Sequence, residues 1–432
     1  MSVDSDPTFF GSVSVSPTTE DLERYSKLKR NRWPGPQSTA LKVRNEEEEK
    51  QGSAKKALVN INKSVIFTIK TIKQGKPQPS KKVIAKRICY TILGVLVLIA
   101  LLSILVYAFL IPLVIFLNPE FRRQLMFVGW QRSSPSELET PSALGFRCST
   151  NLLIKTQYGA IGSWYTPPAA SQPCGEVQPY AALTPTVLFV PTFGETRAAT
   201  RRLALHKIIS EDLGYHVLAF DYRGIADSDE VLPSVQTVVE DSVSMYNYLK
   251  GQVTNANNSA GIIIWGDTWG GAVALQLLTD IAFQKSADLK MLVLQTPVES
   301  TAKAAQNALE FNRFWRWLPF FERVFVEPLQ SDSNTNFDSL RVIVKRKPLS
   351  TLILHPADDA VVEVDQGTAI YMALTDIRNT LNSSARIAMN NFTEQGNLGH
   401  NIESNPTAVA KVVRQFMTLE DRLDSNSHSI SY

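Results

Sequence analysis

Residues 88–117, ICYTILGVLVLIALLSILVYAFLIPLVIFL, run for thirty positions without one charged side chain. About 20 apolar residues carry a helix through the hydrocarbon core of a bilayer. A core helix of a soluble domain keeps a polar face, and this stretch has none. It therefore predicts a transmembrane helix, and whatever else folds must do so on one side of a membrane or the other. The stretch is too long, and begins too far from Met1, for a cleaved signal peptide. Pro112 is expected to kink or end the helix and leave Leu113–Leu117 at the interface.

The flanks orient the span. Residues 68–87 hold Lys70, Lys73, Lys76, Lys81, Lys82, Lys86 and Arg87, whereas residues 118–137 hold only Arg122, Arg123 and Arg132. The positive-inside rule puts the N-terminus in the cytosol and the long C-terminal part in the lumen. Residues 1–87 carry 18 Lys/Arg against 9 Asp/Glu, so a total of +3 leaves the remainder at −6. Basic character confined to one tail, with no zinc-finger spacing, P-loop or G-x-G-x-x-G, argues against a nucleic-acid partner and a nucleotide cofactor. Residues 1–56, rich in Ser, Pro, Lys and Glu, predict a disordered cytosolic tail. Residues 57–87 predict a basic juxtamembrane segment that either meets anionic lipid heads or only fixes topology. Beyond the span, the sequons at Asn257, Asn382 and Asn391 are glycosylation candidates in a lumenal setting. Cys148 and Cys174 would face an oxidising compartment there, and whether they pair is left open.

From residue 150 the pattern changes. TNLLIKTQYGAIGSWY predicts a two-stranded hairpin. Short apolar runs then alternate with helical periodicity: Val187–Val190, His216–Phe220, Ile262–Trp265, Leu289–Leu294, Leu352–Leu354 and Ala385–Ala388 as strands. Between and after them, Arg197–Leu213, Val235–Lys250, Gly271–Phe283, residues near 365–381 and Thr407–Leu419 predict helices. That rhythm implies a mostly parallel sheet covered on both faces, in one α/β domain over residues 130–420 with a flexible tail at 421–432.

One strand–helix junction carries chemistry. IIIWGDTWGGAV (262–273) has the layout of a nucleophile elbow, G-x-S-x-G, with Thr268 where serine would stand. Acyl transfer by such an elbow needs a histidine to take the proton and a carboxylate to hold that histidine, in the chain order nucleophile, acid, histidine. Asp359, in LILHPADDAVV, and His400, in GNLGHNIESNP, each follow a strand in that order. Of the five histidines, His206 falls in a helix, His216 starts a strand, His355 ends an apolar run and His428 lies in a polar tail. Asp358 competes with Asp359, which is favoured because it stands two residues before the Val361-Val362 pair.

LGYHVLAFDYRG (213–224), IWGDTWGGAV, LILHPADDAVV and the aromatic stretch at 311–326 together resemble the single-pass, lumen-facing α/β-hydrolase-domain lipases that act on lysophosphatidylserine and monoacylglycerol. The resemblance covers roughly 88–420 and implies an α/β-hydrolase fold and hydrolysis of one acyl ester from a lipid at the endoplasmic reticulum membrane. It needs no cofactor or metal. By motif, Thr268 takes the nucleophile position, Asp359 the acid, His400 the base, and the backbone amides of Phe193 and Trp269 the oxyanion hole. Two departures stand out. Thr268 replaces serine, and Pro191-Thr192 in VPTFGE replaces the usual His-Gly.

EFNRFWRWLPFFERVFVE (310–327) sets Phe314, Trp315, Trp317, Phe320 and Phe321 among arginines. It reads as a lid gripping acyl chains and touching the bilayer, or as a cap helix packed on the core. Two functions follow. One is a membrane-bound lipid ester hydrolase; the other is a catalytically degenerate hydrolase-like protein that binds lipid or acts as a scaffold. A channel is disfavoured because a single span offers no polar pathway. The residues do not fix oligomeric state.

Overall fold

The structure is a computed structural model that describes residues 61–65, 80–128, 135–146, 148–169, 174, 180, 184–279, 288–307, 315–345, 347–393 and 396–429, with no side chain described beyond 419. The 1–56 tail, most of the basic segment, Phe314 and the terminal tail's side chains lie outside the described residues. The chain divides into two units, Met1–Leu98 and Ile99–Tyr432.

The apolar stretch is helical. Helix α1 spans Lys81–Leu105 with no buried residue, a π-helical turn follows at Val106–Leu110, and α2 completes Ile111–Leu117. Together they make 37 residues, long and apolar enough to cross a membrane. Pro112 does not end this helix. It lacks an N–H and would crowd the preceding turn. The wider π turn directly upstream lets the helix run through it to Asn118, whose side chain caps α3, Pro119–Arg123.

The larger unit holds an eight-stranded sheet in the order β1-β2-β4-β3-β5-β6-β7-β8. Strands β1 (Thr150–Thr156) and β2 (Gly159–Thr166) form the expected antiparallel hairpin. β2 also joins β4 (His216–Phe220) antiparallel, and from there β3 (Thr186–Val190), β5 (Ile262–Asp267), β6 (Leu289–Gln295), β7 (Thr351–Leu354) and β8 (Ile387–Asn390) pair in parallel. β3, β4, β5 and β7 are buried at every residue, as a parallel sheet covered on both faces requires.

Side chains alternate across the sheet. Leu188, Val190, Leu218, Ile264, Leu292 and Leu294 enter one core with residues of α5 (Val235–Asn255), α6 (Trp269–Leu277) and α7 (Val364–Thr380). Val187, Phe189, Val217, Ile263, Trp265 and Leu354 enter a second with Leu205 of α4 (Thr200–Lys207) and Val409 and Val413 of α8 (Pro406–Ser429). Helix α5 starts from a capping box in which Ser234 and Thr237 exchange bonds. The order reverses around β3 and β5, and in open α/β sheets the crevice beyond the carboxyl ends of such strands is where ligands sit.

Cys148 and Cys174 form a disulfide, which answers the pairing left open above.

Candidate active site

β5 and α6 meet at an abrupt corner. Thr268 occupies it at φ 53° and ψ −105°, a conformation a β-branched residue rarely adopts. The two glycines around it are there for close backbone packing. A Cβ at Gly270 would lie 2.0 Å from the Val190 carbonyl oxygen, and one at Gly266 would lie 2.6 Å from the Gly270 carbonyl oxygen. Only bare Cα atoms let the helix start press against β3 and fold back over the strand. The corner is tied to β6, since the Thr268 N–H donates to the Gln295 carbonyl at 2.8 Å.

The loops after β7 and β8 bring the partners. The His400 Nδ1–H donates to Asp359 Oδ2 at 2.8 Å, and His400 Nε2 lies 3.3 Å from the Thr268 hydroxyl. Thr268 and Asp359 are buried, while the His400 side chain keeps 15% of its surface open to solvent. The other oxygen of Asp359 accepts the amides of Val361 and Val362, at 2.8 and 2.9 Å. Burial pushes this carboxyl upward. The hydrogen bond and charge of His400, with the Val362 and Val361 amides, outweigh burial and hold it below the ordinary value. The neighbouring Asp358 acts on the loop instead. Its carboxylate accepts the Gly399 amide at 3.0 Å and fixes the turn that presents His400.

The sequence reading missed several groups here. The Thr268 hydroxyl also lies 3.0 Å from the Thr296 hydroxyl and 3.2 Å from Asp267 Oδ1. Thr296 is fully buried with φ 41°, directly after β6. Asp267 is fully buried and ion-paired with Arg201, whose guanidinium also nears Glu195. Burial lowers the Arg201 pKa, but Asp267 and Glu195 more than reverse this, so the guanidinium keeps its proton. Glu403, three residues past His400, is raised by burial. His355 lies under Asp359, with Nε2 donating to the Val362 carbonyl at 2.8 Å and standing 3.6 Å from Asp359 Oδ2. Burial lowers its pKa, so it stays neutral behind the carboxylate. Adjacency to Thr268 in the chain was the one available signal for Asp267.

Phe193 and Trp269 lie together, rings 5.6 Å apart and stacked. Trp269 opens α6, so its N–H has no intrahelical acceptor. Among the described residues, the Phe193 N–H joins none of the backbone bonds that close the surrounding turns. The Trp269 amide adjoins Thr268, the Phe193 ring stacks on Trp269, and the change to Pro191-Thr192 leaves both main-chain amides present. The constellation can deliver a hydroxyl to an acyl carbonyl, pass its proton to an imidazole and neutralise the oxyanion that forms. Among the described residues no group of His, Cys, Asp and Glu is arranged to hold a metal.

The remaining sequence candidates divide. Trp315 and Phe321 are not a free lid surface: they are buried with Ile115, Phe325 and Val326. Trp315 stacks on Tyr107 at 4.8 Å and donates its indole N–H to the Tyr107 carbonyl. Phe320 is half-buried near Phe109, and Trp317 is 87% exposed. Asn257, Asn382 and Asn391 are all exposed, as glycan acceptors must be.

A family model for the alpha/beta hydrolase fold matches residues 185–395. The chain is 28% identical over 277 residues to the lysophosphatidylserine lipase ABHD12 of Danio rerio, covering 60% of this chain and 68% of that protein. Against the Bos taurus protein of the same name it is 29% identical, over 60% and 65% of the two chains. Against human protein ABHD12B it is 27% identical, over 62% and 73%. Among solved structures, the Pyrococcus furiosus esterase Pf2001 superposes with a TM-score of 0.50 at 17% identity, over 68% of this chain and 97% of that one, a likeness of fold alone.

Proposed function

We propose that this chain, an α/β-hydrolase-fold protein related to the lysophosphatidylserine lipases, is a membrane-bound lipid ester hydrolase that uses Thr268 as its nucleophile. The observation that carries the reading is the unbroken chain from Thr268 through His400 to Asp359, at 3.3 and 2.8 Å. Thr268 attacks the acyl carbonyl while His400 Nε2 takes its proton. The imidazolium that forms is stabilised by Asp359. The amides of Phe193 and Trp269 receive the oxyanion, His400 returns the proton to the leaving alcohol, and water then repeats the sequence on the acyl-enzyme. A monoacyl lipid is the substrate class, since the related chains are lysophospholipid lipases.

The setting follows the same reading. Residues 88–117 span the membrane of the endoplasmic reticulum, the N-terminus is cytosolic, and the hydrolase domain with its three glycosylation asparagines is lumenal. The Cys148–Cys174 bond supports that side, because such bonds persist in oxidising compartments. Trp317, 87% exposed, offers an aromatic contact for lipid.

One observation favours the second reading, a catalytically degenerate lipid-binding protein. The Thr268 hydroxyl donates to a second acceptor, Asp267 Oδ1, at 3.2 Å, slightly nearer than His400 at 3.3 Å. A fluorophosphonate probe separates the two. Labelling of the native full-length chain that vanishes in Thr268→Ala supports the hydrolase. An unlabelled native chain beside a labelled Thr268→Ser supports degenerate chemistry on a retained site. If neither chain labels, the hydrolase reading is wrong.

A further inference from the structure

The segment that leaves the apolar helix reaches the oxyanion loop directly. After α3 the backbone makes a π turn, Gln124–Val128, and the Phe127 carbonyl accepts the Gly194 N–H at 3.0 Å. The Phe127 ring is almost fully buried and packs on Phe193, with centroids 4.5 Å apart. Phe193 in turn contacts Trp269, Tyr222 and Phe337. One side chain from the membrane-proximal segment thus touches the residue that carries one proposed oxyanion donor, and its backbone holds the next residue along.

The strut is anchored at both ends. At its start, Arg122 Nη1 donates to the carbonyls of Ile115 and Phe116, the last turn of α2, at 2.8 and 2.6 Å. Arg123 then crosses to the domain and donates from Nε to the Pro233 carbonyl at 3.0 Å, with its other arm on Leu232. The loop it supports is otherwise held at its edges, where the Tyr222 hydroxyl donates to the Pro191 carbonyl at 2.9 Å and Arg202 to the Glu195 carbonyl at 3.0 Å. Gly194, at φ 78°, lies between those ties, and among the described residues its N–H reaches only the Phe127 carbonyl.

We propose that residues 118–128 are a positioning strut for the oxyanion loop, with Phe127 as the positioning residue. The strut makes the hydrolytic competence of the domain depend on how the end of the membrane helix is held. The catalytic half of this proposal rests on the hydrolase reading; the structural half does not. Loss of the Phe127 ring opens a void beside Phe193 and lets the Phe193 amide drift from the place where the oxyanion forms. A displaced oxyanion donor lowers the rate by about 100- to 1000-fold.

The experiment uses the full-length chain in membranes, with Phe127→Ala and the milder Phe127→Leu in both the native and the Thr268→Ser background. Hydrogen exchange of the peptide containing Gly194 is one readout and the rate of fluorophosphonate labelling is the other. Expected are at least 10-fold faster exchange at Gly194 in Phe127→Ala, unchanged exchange in β5 and β6, and labelling slowed about 100-fold, with Phe127→Leu recovering most of both. Unchanged exchange at Gly194 overturns the strut, whatever the labelling shows. Faster exchange with undiminished labelling overturns the coupling to chemistry. Absence of labelling in both Thr268 and Thr268→Ser chains overturns the hydrolase reading and the catalytic half with it, while exchange still decides the structural half. If Phe127→Ala does not fold, Phe127→Leu carries the test, with a smaller change of the same sign in both readouts.

Discussion

Thr268→Ser removes one methyl group from a residue held at φ 53°, and the structure sets what that should do. Backbone in sparsely populated regions costs about 1–3 kcal/mol, and the β-branched side chain adds to it by narrowing the choice of χ1. Burial of the methyl returns about 0.8 kcal/mol, so the substitution should leave stability within about 1 kcal/mol of the native chain. The rate is another matter. To attack, the hydroxyl proton must leave Asp267 and Thr296 for His400, whose Nε2 is 3.3 Å from the same oxygen, and the β-methyl beside that oxygen narrows the room for the acyl carbonyl. Relieving about 1–2 kcal/mol of that crowding in the transition state corresponds to about 5- to 30-fold in rate. The assay is the time course of fluorophosphonate labelling in membranes, followed by hydrolysis of a lysophospholipid at several concentrations. The gain should appear in kcat rather than KM. Equal labelling rates in two chains of equal thermal stability would refute the argument, because the methyl would then not be what limits the threonine.

Three further outcomes follow from the same geometry. Asp359→Asn keeps the shape of the acid but loses its grip on the His400 tautomer, and should slow labelling of any active chain by about 10⁴-fold. Because Asp359 is held below its ordinary value, its contribution to stability is present above that ordinary value and is lost as pH falls through the lower, folded one; the Asn variant should flatten that part of an acid-unfolding curve. His206, buried beside Phe146 and Trp164, is lowered by burial and then by Arg202 to about 3. The unfolded chain takes up its proton near pH 6.5 and the folded chain does not, so stability should fall from about pH 6.5 downward by about 1.4 kcal/mol per unit, a slope that His206→Leu removes in urea titrations. Cys148→Ser opens a loop closed over 26 residues and should cost about 3–4 kcal/mol, read as a lowered urea midpoint in the oxidised but not the reduced protein.

Much of the fold is legible in the chain because buried parallel strands announce themselves. Val187–Val190, His216–Phe220 and Ile262–Trp265 are β3, β4 and β5 within a residue or two. The last strand is displaced to Ile387–Asn390, since an edge strand with one partner is set by pairing with β7 more than by its own apolar run. Helix ends suffer similarly: the Arg197–Leu213 prediction begins at Thr200 and finishes in a π turn at Ile208–Asp212, a hydrogen-bond shift that periodicity does not signal. The site's three named side chains could be found because each stands at a strand end in a fixed order. Asp267, Thr296, Arg201 and Phe127 could not, because their roles depend on through-space contacts of ordinary residues in loops and turns. Likewise, nothing in the alternation of aromatics and arginines at 310–327 tells a buried Trp315 from an exposed Trp317.

The π turn at Val106–Leu110 sets a rotational phase. Upstream of it α1 buries nothing, whereas downstream Pro112 and Ile115 are buried, Ile115 against the aromatic cap. Each residue of an α-helix advances its azimuth by about 100°. Excising one residue from that turn would swing Ile115 away from Trp315 and Phe325 and bring a different side of the helix round. Two neighbouring stretches of one apolar rod thus serve two different surroundings, and a single extra residue is the gear between them.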